Sequence, residues 1–223
     1  RIDRSIASLI EFLKSQYRDD RILYVLTSDH GVSDSYDISA EPRQRFNSDQ
    51  FRSIMNSFLG AQFGGDDWVT GFSGRRIYLK RITIYSRGLS LAEVQERAAR
   101  FALQFRGISH TLTSSAMQGS TFSDSYLSLI QNGFYPGRSG DLTINLMPGW
   151  IEENNGVRAA AGSLYDYDTH VPLMIMGCGV SPGTLDEEVD MSSVAPTLAR
   201  ILRINRPAAS TAPGIKGLLK AFH

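Results

Sequence analysis

Two short apolar runs, far apart in the chain, constrain the fold more than any other feature of the sequence. The first is Ile22–Leu26, and the second is Val171–Met176, which ends at Gly177. Runs of this length are typical of strands that are covered on both faces, as in the parallel sheets of α/β proteins. We therefore predict an α/β fold with a mainly parallel sheet flanked by helices.

Helical periodicity alternates with these strand patterns along the chain. Before the first strand, apolar residues recur every three or four positions, which predicts an amphipathic helix; they are Ile2, Ile6, Leu9 and Leu13. A second helix is predicted at 91–105, where Ser90 and Glu93 match a capping box. Further helices are predicted at 51–58 and 194–202, and further strands at 77–79, 82–85 and 142–146.

The two apolar runs also suggest how the chain is organised. We expect the sheet core to come from residues 1–36 and 159–223, with an inserted α+β segment at 37–158. Within that segment a short strand is flanked by a basic cluster, which consists of Arg75, Arg76, Lys80 and Arg81. Charge of this kind is typical of a solvated edge strand. We therefore predict an edge strand here rather than a phosphate-binding groove.

Composition excludes several classes of function. The 223 residues include 23 basic and 23 acidic side chains, so no overall field favours nucleic acid or an anionic membrane surface. Cys178 is the only cysteine, which excludes an intramolecular disulfide. No apolar run approaches the roughly 18 residues that a membrane-spanning helix needs. We therefore expect neither a nucleic-acid partner nor a membrane span.

A polar pair directly follows the first predicted strand, within the sequence TSDHG at 27–31. In open α/β sheets, functional groups collect beyond the carboxyl ends of the strands, which is where Asp29 and His30 fall. Gly31 permits a turn there, so that a carboxylate and an imidazole, both good zinc ligands, could converge on one ion. The alternative is that Asp29 caps a turn and His30 is merely exposed, because a two-residue signal is weak.

Four sequence blocks extend this pattern over nearly the whole chain. They read ILYVLTSDHG at 22–31, GRSGDLTINLMPGWI at 137–151, GSLYDYDTHVPLMIMG at 162–177 and VDMSSVAPTLARIL at 189–202. In this order they resemble the PafA-type alkaline phosphatases, which are relatives of the nucleotide pyrophosphatase/phosphodiesterases. The resemblance covers the C-terminal part of such an enzyme, so we expect the chain to be a single C-terminal portion of a longer protein.

The resemblance implies a zinc-dependent enzyme. In that family two zinc ions hydrolyse phosphate monoesters through a metal-bound Thr nucleophile, and an Asp-His pair, matched by Asp29 and His30, ligates one ion. The nucleophile and further ligands come from upstream sequence with no counterpart here, so the chain alone should be inactive and bind zinc weakly or not at all. His170 matches a family His and either ligates the metal or orients its loop. Ala161 stands where the family commonly carries a His ligand of the other ion.

Three hypotheses follow for the parent protein. The first is a metal-dependent alkaline phosphatase that acts on a phosphorylated small molecule. The second is a related phosphodiesterase or other phosphoryl-transfer enzyme, and the third is a non-catalytic module whose site has decayed, as Ala161 suggests. The resemblance also implies a periplasmic or secreted location and, as a partner of this chain, the missing N-terminal part of the same protein.

Overall fold

Helices and strands alternate along the chain in a computed structural model, which describes residues 1–18, 21–32, 44–65, 67–123, 126–153, 160–177 and 180–220. Cys178 lies outside the described residues. The helices are α1 (Ile2–Gln16), α2 (Ser48–Phe63), α3 (Arg81–Ser86), α4 (Leu91–Ala102), α5 (Ser114–Gly119), α6 (Tyr126–Asn132), α7 (Asp166–Thr169), α8 (Val194–Ile201) and α9 (Lys216–Lys220). The strands are β1 (Leu23–Thr27), β2 (Arg45–Phe46), β3 (Val69–Ser73), β4 (Arg76–Leu79), β5 (Ile108–Thr113), β6 (Leu142–Leu146), β7 (Ile151–Glu152) and β8 (Leu173–Gly177).

The chain divides into two compact units. The terminal unit combines residues 1–28 and 172–223, and the inserted unit is the continuous segment between them, 29–171. The predicted limits of the inserted α+β segment, residues 37 and 158, lie outside the described residues. The predicted division of the domain itself stays a prediction.

The inserted unit is built on a four-stranded antiparallel sheet in the order β3-β4-β6-β5. Alternation along β4 sends Ile77 and Leu79 into the core, as expected for a strand with one buried face. Helix α4 covers the sheet with Val94, Ala98 and Ala102, which are spaced by one turn and are all fully buried. This layer of helix on sheet forms the apolar core of the unit.

Aromatic side chains complete that core. Phe51 of α2 meets Phe105 edge-on with ring centroids 4.7 Å apart, and Phe58 stacks on Phe101 at 3.8 Å. Helix α2 begins at a side-chain cap, because Asn47 accepts a hydrogen bond from the Gln50 amide at 2.8 Å. The cap fixes the start of the helix, and the aromatic pairs fix its packing against α4.

The terminal unit contains a two-stranded sheet in which β1 and β8 run antiparallel. Leu26 lies opposite Met174, and Tyr24 lies opposite Met176. In α1 no residue is buried, although the predicted amphipathic stripe lies within the helix. None of the helices in the described parts of the chain is long and apolar enough to cross a membrane.

The predicted α/β class is confirmed, but strand direction differs from the predicted mainly parallel sheet. Among the described residues, only the short pair β2 and β7 is parallel, and every other ladder is antiparallel. The reason is physical: an apolar run reports that a strand is covered, and it carries no information about the direction of its neighbour. The first apolar run is also less buried than predicted, because Val25 and Leu26 of β1 are exposed.

Three local predictions are wrong. Residues 82–85 belong to helix α3 instead of a strand, and Ile84 is buried there, so tertiary packing overrides the strand propensity of these residues. Ser90 is the N-cap of α4 but makes no side-chain cap hydrogen bond, so the capping box does not form. The basic cluster does not mark an edge strand, because β4 pairs with β3 on one side and β6 on the other.

Candidate metal centre

The candidate metal ligands Asp29 and His30 lie in a loop that directly follows β1 in the chain. We call residues 29–32 the Asp-His loop. Both side chains are exposed, Asp29 to 86% and His30 to 49%, so neither is packed in a hydrophobic core. This position at the carboxyl end of a strand is the one that the sequence predicts.

The ring of His30 is oriented by its own loop. Its Nδ1 lies 2.6 Å from the backbone oxygen of Gly31. Because a carbonyl oxygen can only accept, this contact needs the proton on Nδ1, and in the neutral ring the lone pair is then on Nε2. Nε2 lies 3.7 Å from Oδ1 of Asp29. An imidazole held by a backbone carbonyl is the usual arrangement of a metal-binding histidine.

The pair fits zinc in donor type and in spacing, but two donors are not a complete site. Two ligands of a tetrahedral zinc ion, each bound at about 2.0–2.2 Å, lie roughly 3.4 Å apart, and the observed separation of 3.7 Å is within a few tenths of an ångström of that spacing. Zinc sites in proteins usually hold four ligands. In the parts of the chain that the structure describes, no group of three or more His, Cys, Asp or Glu side chains could hold a metal.

His170, the predicted third ligand, follows α7 and is exposed. Its backbone amide donates to the Asp166 oxygen at 2.8 Å, which closes the short helix. Both of its predicted roles, metal ligand and loop-orienting residue, stay predictions.

The Asp-His loop is held against α7 by a close backbone contact. The Gly31 amide donates to the backbone oxygen of Asp168 at 2.7 Å. A Cβ added at Gly31 would collide with the carbonyl of Tyr167, so only glycine allows this approach. The glycine after the Asp-His pair is therefore required by packing between two segments, and not only by a local turn.

A second loop, residues 160–165, contains the position of the predicted missing ligand, Ala161. We call it the Gly-Ser loop. The Ser163 amide donates to Oδ2 of Asp168 at 2.6 Å, and the Tyr165 hydroxyl donates to the Leu146 oxygen at 3.0 Å. The loop is therefore tied both to α7 and to strand β6 of the sheet.

A solved phosphatase shares the fold of this chain. No protein-family model matches the chain. The crystal structure of wild-type alkaline phosphatase PafA matches it with a TM-score of 0.86 at 23% identity, over 97% of this chain and 42% of that one. The predicted resemblance to PafA-type alkaline phosphatases is confirmed.

Curated relatives agree with the PafA-type match. Alkaline phosphatase PafA of Elizabethkingia meningoseptica is 24% identical over 212 residues, and alkaline phosphatase PhoV of Synechococcus elongatus is 25% identical over 225 residues. A protein of Myroides odoratus named calcium-transporting ATPase is 26% identical over 211 residues. The chain covers 93–99% of its own length in these matches but only 38–40% of the length of the relatives.

From the sequence, Arg75 was assigned to the basic cluster beside β4, and no role at the candidate site was predicted for it. This residue follows Gly74 in a two-residue turn between β3 and β4, and both have positive φ, 55° and 62°. Its guanidinium is buried and donates from Nη1 to the Gly162 oxygen at 2.7 Å. Burial lowers the pKa of Arg75, and the charge of Asp168 opposes this effect. The Gly-Arg turn signal was available in the sequence, but it predicts a hairpin and not a contact 87 residues away.

Proposed function

We propose that this chain is part of a zinc-dependent phosphatase that hydrolyses phosphate monoesters, in which Asp29 and His30 bind one metal ion. The observation that carries the proposal is the geometry of the pair, with Nδ1 of His30 donating to a carbonyl and Nε2 3.7 Å from the Asp29 carboxylate. Relatives named alkaline phosphatases support the reaction class.

The chain contributes ligand placement to this function. When bound, zinc supplies stabilisation of the negative charge that develops on phosphoryl oxygens. Gly31 holds the Asp-His loop against α7, and the Gly31 carbonyl holds the His30 ring. Asp29 and His30 supply two of the four ligands that zinc usually holds, so we assign the nucleophile and the ligands other than His170 to the rest of the parent protein. We therefore expect no phosphatase activity from the chain alone.

An exposed apolar face supports the need for more polypeptide. The strand face is formed by Leu26, Met174 and Met176, which the register of β1 and β8 brings together and which are 46–59% exposed. Apolar surface of this kind usually marks an interface. Because the chain spans only 38–40% of its curated relatives, we assign the strand face to the rest of the parent phosphatase.

Calorimetric titration with zinc tests the metal assignment. Two proteins are compared: the 223-residue chain, and a chimera in which it replaces the matching part of the Elizabethkingia meningoseptica phosphatase. We expect weak or no binding to the chain and tight binding to the chimera, weakened by Asp29→Ala or His30→Ala. Asp49→Ala, which removes an exposed carboxylate of α2, is the matched control and should change nothing.

The same titration tests whether Ala161 marks the loss of a metal ligand. If this position has lost a ligand, the chimera holds one tight ion and Ala161→His restores the second. Two tight ions in the chimera with Ala161 unchanged would refute the loss. Tight binding to the chain alone would refute its dependence on further ligands.

Substrate class is tested by turnover of three compounds on the zinc-loaded chimera. We expect hydrolysis of p-nitrophenyl phosphate, a monoester, to exceed that of bis-p-nitrophenyl phosphate, a diester. ATP is included because one relative is named an ATPase. Preference for the diester would favour the phosphodiesterase alternative, and no turnover of any compound would favour the decayed module. The expected periplasmic or secreted location stays a prediction.

Assignment of the strand face is tested by charge substitution in the chimera. Met174→Glu should lower the melting temperature by several degrees, because it places a charge in a newly buried interface. Leu103→Glu is the matched control, since Leu103 is 50% exposed at the end of α4. Equal melting temperatures for the two variants would contradict the assignment.

A further inference from the structure

We propose that Arg75 and Asp168 are positioning residues that hold one peptide group, between Gly162 and Ser163, and so fix the Gly-Ser loop relative to the Asp-His loop. The structural part of this inference stands alone, and its functional part rests on the proposed metal role of Asp29 and His30.

The side chains of Arg75 and Asp168 form hydrogen bonds to opposite sides of the same peptide group. Arg75 Nη1 donates to the Gly162 oxygen at 2.7 Å, and Asp168 Oδ2 accepts from the Ser163 amide at 2.6 Å. The cation faces the negative end of the peptide dipole and the anion faces the positive end. Hydrogen bonds to ionised groups are roughly twice as strong as neutral ones. The peptide plane next to position 161 is thus held more firmly than an ordinary loop peptide.

Asp168 also holds the second loop. Its backbone oxygen accepts from the Gly31 amide at 2.7 Å, one residue after His30. Asp168 therefore contacts both loops: its side chain holds the Gly-Ser loop, and its main chain holds the Asp-His loop. In a two-metal site the ions lie about 3.5–4 Å apart, so small shifts between ligand loops are costly.

Burial argues that this arrangement serves geometry more than stability. Asp168 is 3% exposed, Arg75 is 9% exposed, and Asp168 Oδ1 has no hydrogen-bond partner among the described residues. Buried charges with incomplete pairing contribute little net stability. Asp141 shows the contrasting case: it is equally buried, and its carboxylate accepts from the Leu79 amide, Arg81 and Gln95.

Hydrogen exchange of single amides in the 223-residue chain, followed by NMR, tests whether these hydrogen bonds hold the Gly162–Ser163 peptide group. Asp168→Ala removes the acceptor of the Ser163 amide, whereas Asp168→Asn keeps an oxygen there. We expect Ser163 to exchange roughly tenfold faster or more in Asp168→Ala and nearly normally in Asp168→Asn, relative to the amide of Ala98 in the interior of α4. Unchanged Ser163 exchange in Asp168→Ala would overturn the inference.

A second substitution keeps the test decisive if Asp168→Ala does not fold. Arg75→Met removes the donor to Gly162 while keeping an apolar stem, and Arg75→Lys keeps a charge. Faster Ser163 exchange in Arg75→Met, at least partly reversed in Arg75→Lys, supports the inference. The same rate in Arg75→Met as in the unmodified chain overturns it.

Zinc affinity of the chimera tests the positioning role. Groups that orient metal ligands typically change affinity about 10–100-fold when they are removed. We expect Asp168→Ala to weaken zinc by roughly tenfold, Asp168→Asn to restore most of it, and Asp141→Asn to leave it unchanged. If Asp29→Ala weakens zinc and Asp168→Ala does not, positioning is refuted while the proposed function stands. If Asp29→Ala has no effect, the proposed function fails, and exchange at Ser163 alone decides the structural part.

Discussion

The inserted unit and the terminal unit bury their apolar residues very differently. The inserted unit has a core around Trp68, Phe51 and Met55, each at most 1% exposed. Among the described residues of the terminal unit, the buried apolar ones are Pro196, Ala199 and Ile215. Apolar periodicity is present in both units, so it predicts that a helix or strand has an apolar face and not that the face is covered.

The contrast is clearest between two amphipathic helices. Helix α4 places Val94 and Ala98 against a sheet within its own unit, whereas α1 contains no buried residue. Burying a large apolar side chain is worth roughly 1.5–3 kcal/mol relative to exposing it. The inserted unit gains this stabilisation within the described chain, whereas α1 in the terminal unit leaves its apolar side chains exposed.

The largest expected effect comes from matched phenylalanine truncations. Phe51→Ala should lower the free energy of unfolding by about 3–5 kcal/mol, because it empties a fully buried site in the inserted unit. Phe12→Ala, at a 60% exposed position in α1, should change it by at most about 0.5 kcal/mol. Urea unfolding of both variants gives the comparison. A loss for Phe12→Ala as large as that for Phe51→Ala would show that α1 is packed in solution.

A smaller effect is expected at the buried carboxylate of the inserted unit. Asp141→Ala should cost about 3 kcal/mol, since it leaves the Leu79 amide and the Gln95 side chain without their acceptor and unpairs Arg81. The measurement is the urea midpoint at pH 7. A cost below about 1 kcal/mol would mean that water replaces the carboxylate and that the inserted unit is less tightly packed than its core indicates.

The smallest effect is expected at Asp190, an exposed carboxylate of the terminal unit. Hydrogen bonds from the Ser192 side chain and backbone lower the pKa of Asp190 below its ordinary value. Stability from such a group is present above the unfolded pKa of about 3.9 and is lost as pH falls through the folded value. Asp190→Ala should therefore cost about 0.5 kcal/mol at pH 7 and progressively less as pH falls through the lowered pKa of Asp190. Urea titrations at several pH values check this, and a constant cost at all pH values would exclude the charge as its cause.

Much of the fold could be read from the sequence because local patterns carry local structure. Residues 142–146 form β6 as predicted, and α1, α2, α4 and α8 overlap the predicted helices. Pairing direction and the helical state of residues 82–85 depend on contacts with distant segments, which a period of two or 3.6 cannot encode. Ile84 illustrates this, because it is fully buried within a helix although the local pattern predicts a strand.

The candidate site divides in the same way. Asp29 and His30 were predicted from a strand end and a donor pair, both local features. Arg75 and Asp168 were missed because their importance comes from hydrogen bonds across 87 residues and to the amide of Gly31. A buried arginine in a hairpin turn has the same sequence signature as an exposed one. The spacing of residues in the sequence does not distinguish a buried arginine from an exposed one in such a turn.

The pairing of β1 with β8 has a consequence for how the chain reaches its fold. The two strands are about 150 residues apart in sequence, so their ladder closes a very long loop. Contacts of such high sequence separation form late, after local structure has shortened the effective loop. During synthesis β1 emerges before β8, so this ladder cannot form until β8 has been made. The inserted unit is continuous in sequence and can fold in that interval, which shortens the effective loop that the ladder of β1 and β8 must close.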